Sequence, residues 1–404
     1  MKTGIKTKLT IAGAFAILLA GCTEPKDAEG WNRTQKSQFM QILATDKYAS
    51  ICNKEALYTK VKESKNSRLM SKLLVAYTEN LANSCIEKET LGEYGAYWQK
   101  VSRLDIERRV KAGQSIEQIL KPYIPEYAQF QLLLEKYRLL QKESEVSEEI
   151  VKKVRLNIER IKIMKSGLGK TYVLVNIPEF KVRIIENDKT SVVMRVITGQ
   201  KKKQTPVFSE KLQYIVLNPT WNVPDSIARN EVIPKLLKDR RYLKKHRLVM
   251  RKDYNLDSPV LSPRAVNLSA YKGGEGAVPF KFIEVPSDKN ALGRVKFIFP
   301  NQHSVYMHDT PTKYLFKRKV RAYSHGCIRL QDPKGMLKYL TEHYTAYRYE
   351  EVKEKYDSYK THYLKITKPL PVHTAYLTAY VNESGTLELF PDIYGLDATQ
   401  KLNF

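Results

Sequence analysis

The sequence predicts an α+β protein: a helical N-terminal scaffold, then a mainly β, sandwich-like domain interrupted by a helical lid. Three patterns carry this expectation. Between residues 38 and 165 apolar side chains recur three and four apart, as in Phe39, Ile42 and Leu43 and again in Leu73, Leu74, Tyr77 and Leu81. That is the stripe of helices with one buried face. From Thr171 the pattern changes to short β-branched and aromatic runs divided by Asn, Asp, Gly and Pro. These runs do not alternate with helices, which argues for a mixed or antiparallel two-layer arrangement.

Taken from its start, the chain opens on Lys2, Lys6 and Lys8 and an apolar run from Leu9 to Ala20. The run is too short to span a bilayer and has the form of an export signal over residues 1–21. Leu19-Ala20-Gly21-Cys22 resembles a bacterial lipobox, which implies cleavage before Cys22 and lipid on its thiol. The expected location is the cell envelope or periplasm, with membrane attachment through that lipid. Thr23 rather than Asp after the cysteine favours the outer membrane. Residues 22–37 are polar and read as a tether, and residues 38–168 as the helical scaffold. With 404 residues and 42% hydrophobic content there is ample material for two or three domains.

Strands are expected at 172–176, 182–185, 192–198, 214–218, 295–299, 305–307, 374–381 and 387–390. Residues 227–248 read as helix crowded with Lys235, Lys238, Arg240, Arg241, Lys244, Lys245 and Arg247. Gly273, Gly274 and Gly276 follow as hinge material. Asp332-Pro333 opens another helix, with Asp332 as cap and Pro333 at the first position. Residues 351–363 read as a charged helix or linker.

The chemistry concentrates in two runs. His303 to Asp309 is mostly apolar and delivers His308 at its end. Ser324-His325-Gly326-Cys327-Ile328-Arg329 then places a cysteine straight after a glycine. Cys327 is the candidate nucleophile and His308 its base, because a thiol near pKa 8.5 is only a few per cent thiolate at neutral pH and a neighbouring imidazolium lowers that value. Glycine leaves room for backbone amides to approach a substrate carbonyl. The amides of Gly326 and Cys327 are therefore candidate oxyanion donors, each worth about 3 kcal/mol in a transition state. Zinc is a weaker reading, since no C-x-x-C or H-E-x-x-H spacing accompanies the pair. No metal or other cofactor is expected.

His308, fifteen residues, then Ser324-His325-Gly326-Cys327-Ile328-Arg329 resembles the signature of the YkuD-type L,D-transpeptidases, cysteine enzymes of bacterial cell walls. Further segments resemble the large YcbB-like branch: YVLVNIPEF at 172–180, TPVF at 205–208, NPTWNVP at 218–224, NALGRVKF at 290–297, HDTP at 308–311 and IYGLD at 393–397. The resemblance covers about residues 120–397. It implies a catalytic domain over 169–397, with a capping subdomain at about 222–276 over the active site. A lid suits an acyl-enzyme that must exclude water while awaiting an amine.

By the same resemblance, the Cys327 sulfur attacks a stem tetrapeptide at the bond to its terminal D-alanine, and His308 moves the protons. The thioester then passes to an amine of another stem, giving a 3→3 cross-link, or to a wall-anchored protein or D-amino acid. Tyr306 is expected to assist at the oxyanion, a backbone carbonyl to orient His308, and Arg329 either to bind a substrate carboxylate or to brace its loop. Ser324, His325 and Asn222 complete the candidate substrate set, with His325 more suited to shaping the turn. Carbapenems are expected to acylate Cys327. The alternatives are an L,D-carboxypeptidase of the same fold that uses water, and a non-catalytic wall-binding lipoprotein.

With Cys22 lipidated and Cys327 reduced, Cys52 and Cys85 remain. They are either a disulfide, which in the chain-entropy model adds roughly 3–4 kcal/mol, or two buried thiols. The balance of 69 Lys+Arg against 43 Asp+Glu gives a formal charge of +26. Export and the lack of a recognised DNA or RNA motif argue against nucleic acid. Peptidoglycan stems with free carboxylates and anionic envelope surfaces suit the charge better.

Overall fold

The computed structural model describes residues 24–91 and 97–403. The expected signal over 1–21 and the expected lipid site at Cys22 lie outside the described residues. No helix among the described residues is long and apolar enough to cross a membrane.

Among the described residues the scaffold is built from α1 (Arg33–Ala44), α2 (Glu55–Ser64), α3 (Ser67–Asn83), α4 (Arg103–Lys111), α5 (Ile116–Leu120), α6 (Ala128–Leu140) and α7 (Glu148–Lys162). Helix α1 starts inside the stretch read as a tether. Asn32 and Gln35 form a reciprocal capping box at its start, and Trp31 is buried with its indole N–H donating to Ser71 Oγ at 2.8 Å. That capping signature is legible in the sequence and was outweighed by the polar composition around it. Cys52 and Cys85 are joined as a disulfide, Cα–Cα 5.9 Å, closing a loop of sequence separation 33.

The strands are β1 (Tyr172–Asn176), β2 (Lys181–Glu186), β3 (Lys189–Gly199), β4 (Phe208–Leu217), β5 (Trp221–Asn222), β6 (Leu248–Arg251) and β7 (Lys281–Glu284). They continue as β8 (Val295–Ile298), β9 (Met307–His308), β10 (Ala322–Ser324), β11 (Ile328–Leu330), β12 (His362–Ala375), β13 (Ala379–Val381) and β14 (Leu387–Leu389). The main sheet runs β10-β3-β11-β9-β8-β4-β12-β1-β2, and β2 pairs back onto β3. The layers of the expected sandwich are thus hydrogen-bonded into a closed ring. Closure follows from two long strands. β3 pairs β2 along its first part and β11 and β10 at its end. β12 pairs β4 across a register shift between Lys365 and Leu370, and pairs β1 in parallel. Inside the ring Val173, Val182, Ile215, Phe297, Met307 and Ile328 pack with Met336 and Leu340 of the helix Pro333–Tyr344. Asp332 caps that helix through the Gly335 amide, 2.8 Å.

Two sequence expectations are corrected here. The stretch 351–363 holds a helix that ends at Asp357, and strand β12 already begins at His362. Pro369 and Pro371 disguised that strand, because proline is disfavoured within a sheet; the register shift takes in Pro369, while Pro371 lies in the paired stretch opposite Lys211. The expected strand over 374–381 is interrupted between Ala375 and Ala379, where Asn157 and Asn176 accept from the Thr378 and Leu377 amides.

The insertion is a small layer with its own core: β5, β7 and β6 form a three-stranded sheet. Val223, Val232, Ile233, Leu236, Phe280 and Phe282 cluster beneath it. The cluster and sheet extend past the expected boundary at 276. The stretch expected as one helix over 227–248 is broken into the helical turn Asp225–Ile227, a π-helical turn Ala228–Val232, the helix Ile233–Lys238 and the helix Tyr242–Lys245. Pro234 at the start of the third piece marks the break.

Candidate active site

The site grows out of strand register. Ile328 of β11 lies beside Met307 of β9 in a parallel pair, and Lys296 of β8 lies opposite His308 in an antiparallel pair. Side chains alternate faces along a strand. Phe297, Met307 and Ile328, each 0% exposed, therefore turn into the core. Lys296, Tyr306, His308, Cys327 and Arg329 turn to the other face, and all five line one cleft of about 810 Å³. The two residues singled out in the sequence are brought to the same side of the sheet.

His308 is 4% exposed and its Nδ1 donates to the Asp309 carbonyl, 2.5 Å. A backbone carbonyl is thus its orienting partner. The Asp309 carboxylate points elsewhere, accepting from the Arg294 and Thr310 amides and the Lys313 ammonium. Burial, followed by the charge of Arg329, lowers the imidazole to about 3. The Cys327 thiol is pushed up from its ordinary value, again by burial first. Burial thus disfavours both charged forms, and the Arg329 and Lys296 cations on the imidazole's face further oppose the imidazolium. The thiol's own hydrogen bond goes to the Ser304 carbonyl at 3.8 Å. Tyr306 lines the same cleft as the sulfur.

The turn before Cys327 is a small brace. Gly326 has φ +115°, a conformation that favours glycine. Its amide donates to Ser324 Oγ at 3.2 Å, and Ser324 Oγ–H donates to the Cys327 carbonyl at 2.5 Å. The Gly326 amide, expected as an oxyanion donor, is thus engaged by Ser324, and the amide of Cys327 is the one that remains. Ser324 is 2% exposed and holds the loop. His325 Nε2 meets Glu231 Oε1 of the insertion at 2.6 Å. Arg329 reaches Thr312 Oγ1 at 3.4 Å and its Nε, buried, has no partner among the described residues. Asn222 sits on β5 at the cleft wall beside Trp221.

Two residues at the site escaped the sequence reading. Lys296 lies in the segment 290–297, but only the closed sheet shows that it lines one cleft with Cys327. Glu231 was one acid in a basic stretch, and the π-helical turn alone brings it to His325. Gly293 explains part of the segment around Lys296: φ is +61°, and a β-carbon there would come within 2.3 Å of the Asp309 side chain. Arg294 donates to Asn218 Oδ1 and Asp288 and is covered by Tyr356 and Tyr359, so it fastens the start of β8.

Against known proteins, residues 170–354 match the YkuD family profile, described as the L,D-transpeptidase catalytic domain. A Haemophilus influenzae protein named "Putative L,D-transpeptidase" is 31% identical over 252 residues, which is 61% of this chain and 48% of that protein. The chain thus spans about half the length of that relative. Among solved structures, an L,D-transpeptidase from Mycobacterium smegmatis aligns with TM-score 0.23 and 11% identity, covering 51% of this chain and 58% of the other. The catalytic domain of an Enterococcus faecium L,D-transpeptidase aligns with TM-score 0.19 and 13% identity, covering 52% and 99%.

Proposed function

We propose that the chain, whose residues 170–354 match the YkuD L,D-transpeptidase catalytic-domain profile, is a peptidoglycan L,D-transpeptidase with Cys327 as nucleophile and His308 as its proton carrier. The observation that carries this reading is the shared cleft face of β8, β9 and β11, which presents Lys296, Tyr306, His308, Cys327 and Arg329 together. The thiol proton passes to neutral His308 as sulfur attacks the donor carbonyl, and the Cys327 amide and Tyr306 hydroxyl receive the oxyanion. The imidazolium returns that proton to the departing D-alanine amine. In the second half His308 takes a proton from the acceptor amine, the carbonyl–nitrogen bond forms as the carbonyl–sulfur bond breaks, and the proton passes from His308 to the released Cys327 sulfur.

The substrates are anionic stem peptides, for which cationic side chains in the cleft are a suitable lining. Placement in the YcbB-like branch rests on the shared segments, and envelope location with an N-terminal lipid on the opening residues. The insertion acts as a lid, a role supported by its separate core and by the Glu231–His325 contact two residues from the nucleophile.

Purified protein incubated with disaccharide-tetrapeptides and read by mass spectrometry tests the reading. Dimers linked 3→3 are expected, and Cys327→Ala is expected to lower conversion at least 10³-fold. Tripeptides without dimers would reassign the chain to carboxypeptidase activity, and undiminished conversion by Cys327→Ala would remove the nucleophile.

A further inference from the structure

We propose that Thr205 is a positioning residue for the acyl transfer, its hydroxyl fixing the peptide plane whose N–H, that of Cys327, receives the oxyanion. The inference rests on the reading of Cys327 as nucleophile and concerns only how its amide is aimed. Thr205 Oγ1 lies 2.7 Å from the Gly326 carbonyl oxygen and 2.9 Å from the Gly199 amide nitrogen. The amide can only donate, so the threonine proton goes to the Gly326 carbonyl. That carbonyl and the Cys327 N–H belong to one planar trans peptide unit and point to opposite sides of it. Holding the oxygen at Thr205 therefore directs the N–H the other way, and a bond donated to the oxygen also strengthens the N–H as a donor. Beyond the sulfur-bearing residue, Ser324 Oγ–H holds the Cys327 carbonyl. Each of the two peptide planes that meet at Cys327 is thus fixed by one hydroxyl.

Thr205 is itself held from behind by the C-terminal segment. Its amide donates to the Tyr394 hydroxyl at 3.1 Å, and that hydroxyl donates to the Gly199 carbonyl at 2.7 Å. Gly199 thus bonds Thr205 with its N–H and Tyr394 with its carbonyl. No side chain fits at Gly199, where a β-carbon would come within 2.2 Å of the Lys203 carbonyl. Tyr394 stacks on Tyr376 with ring centroids 5.4 Å apart, and its amide donates to the Tyr376 hydroxyl at 2.8 Å. The Tyr376 hydroxyl in turn donates to Asp392 Oδ1 at 2.6 Å. Each of the three hydroxyls accepts one bond and donates one, so the direction of every proton is set. Thr205 and Tyr394 are 2% and 6% exposed; they act through the peptide plane and do not touch substrate.

The test compares two reactions of the same sulfur in the full chain. Acylation by a carbapenem, read as mass gain on Cys327, passes through an oxyanion, and alkylation by iodoacetamide does not. Thr205→Val keeps the shape of the side chain and removes the hydroxyl. It is expected to slow acylation about 10- to 100-fold, short of the roughly 10²–10³ that follows loss of a whole oxyanion donor, and to leave alkylation within about twofold. Thr205→Ser is expected to restore acylation to within about threefold of wild type. With disaccharide-tetrapeptide the Thr205→Val loss should fall on kcat, with KM changed less than about twofold. Tyr394→Phe, one bond further back, should slow acylation about threefold or more with alkylation again unchanged, and it decides alone if Thr205→Val has no cooperative melt. Acylation within about twofold of wild type in folded Thr205→Val, or in Tyr394→Phe where that variant decides, overturns the proposal. So does a Thr205→Val chain in which acylation and alkylation slow by the same factor, or a Thr205→Ser chain as slow as Thr205→Val. The expected acylation pattern without any muropeptide product would remove the substrate assignment and leave this inference standing.

Discussion

Folding withdraws two imidazoles from water, His308 and His373, and holds both unprotonated: burial lowers each to about 3, against an ordinary value of 6.5. His373 is enclosed by the rings of Tyr127 and Tyr172 and bonded to Ser209 Oγ at 2.7 Å. The sign of the pH effect follows. Below pH 6.5 the unfolded chain binds protons that the folded chain refuses, so stability is complete above 6.5 and falls as pH drops toward 3. Each histidine contributes up to about 1.4 kcal/mol per pH unit in that window. Urea unfolding at pH 7.5, 6 and 5 should show the loss, and His308→Asn should remove about one proton from its slope. An unchanged slope in the variant would mean that the folded protein protonates His308. At this scale the sequence singled out Cys327 and His308, which share one cleft, and a backbone carbonyl as the partner of His308, because each belongs to a local motif. It could not reveal the protonation state of His308, which depends on Lys296 and Arg329 arriving from other strands. The occupation of the Gly326 amide by Ser324 was equally hidden, since it depends on a turn conformation.

Elements declared themselves in proportion to how regular their environment is. β1 was legible because YVLVN is apolar without alternation, and both its faces are in fact buried: Val173 and Val175 toward the ring interior, Tyr172 and Leu174 toward the helices. The insertion was legible as an interruption but not as a layer, since its three strands are short and far apart in sequence. This changes how the insertion should be removed. Deleting 230–270 would strand Val278, Phe280 and Phe282, which need Val232, Ile233 and Leu236 as partners. The register offers a cleaner cut, because Asn222 of β5 lies directly opposite Ile283 of β7. Replacing residues 223–282 with Asn-Gly converts that pair into a two-residue hairpin. The trimmed chain is expected to keep a cooperative melt and an alkylatable Cys327. Its ratio of tripeptide to cross-linked dimer should rise several-fold, because water reaches the thioester. A trimmed chain with the wild-type product ratio would show that the insertion does not gate the acceptor.

At the scale of the whole molecule, the helical scaffold and the sheet share one core. Tyr172, Leu174 and Ile185 of the sheet, with Leu377 and Ala379 of the C-terminal stretch, pack into the same cluster as Phe39, Tyr77, Phe130 and Leu133 of the helices. Polar contacts repeat the connection. The Gln129 side chain donates to the Val381 carbonyl and accepts from its amide, 2.7 and 3.0 Å, as a strand neighbour would. The C-terminal tail joins in, with Lys401 accepting from the Glu87 amide and Asn403 donating to the Cys85 carbonyl. Sequence placed a domain boundary near residue 168 because the periodicity changes there, but a change of period marks a change of element and not the edge of a core. The consequence is testable by separating the parts. Exposing Tyr172, Leu174, Ile185 and Leu377 would forfeit roughly 6–12 kcal/mol at 1.5–3 kcal/mol per buried side chain, comparable to the whole stability of an ordinary domain. Residues 169–404 produced alone should therefore be aggregated or lack a cooperative melt, and co-production with residues 24–165 should recover soluble, alkylatable protein. A soluble 169–404 fragment melting within a few degrees of the full chain would mean that the scaffold is a separate domain and the shared cluster energetically minor.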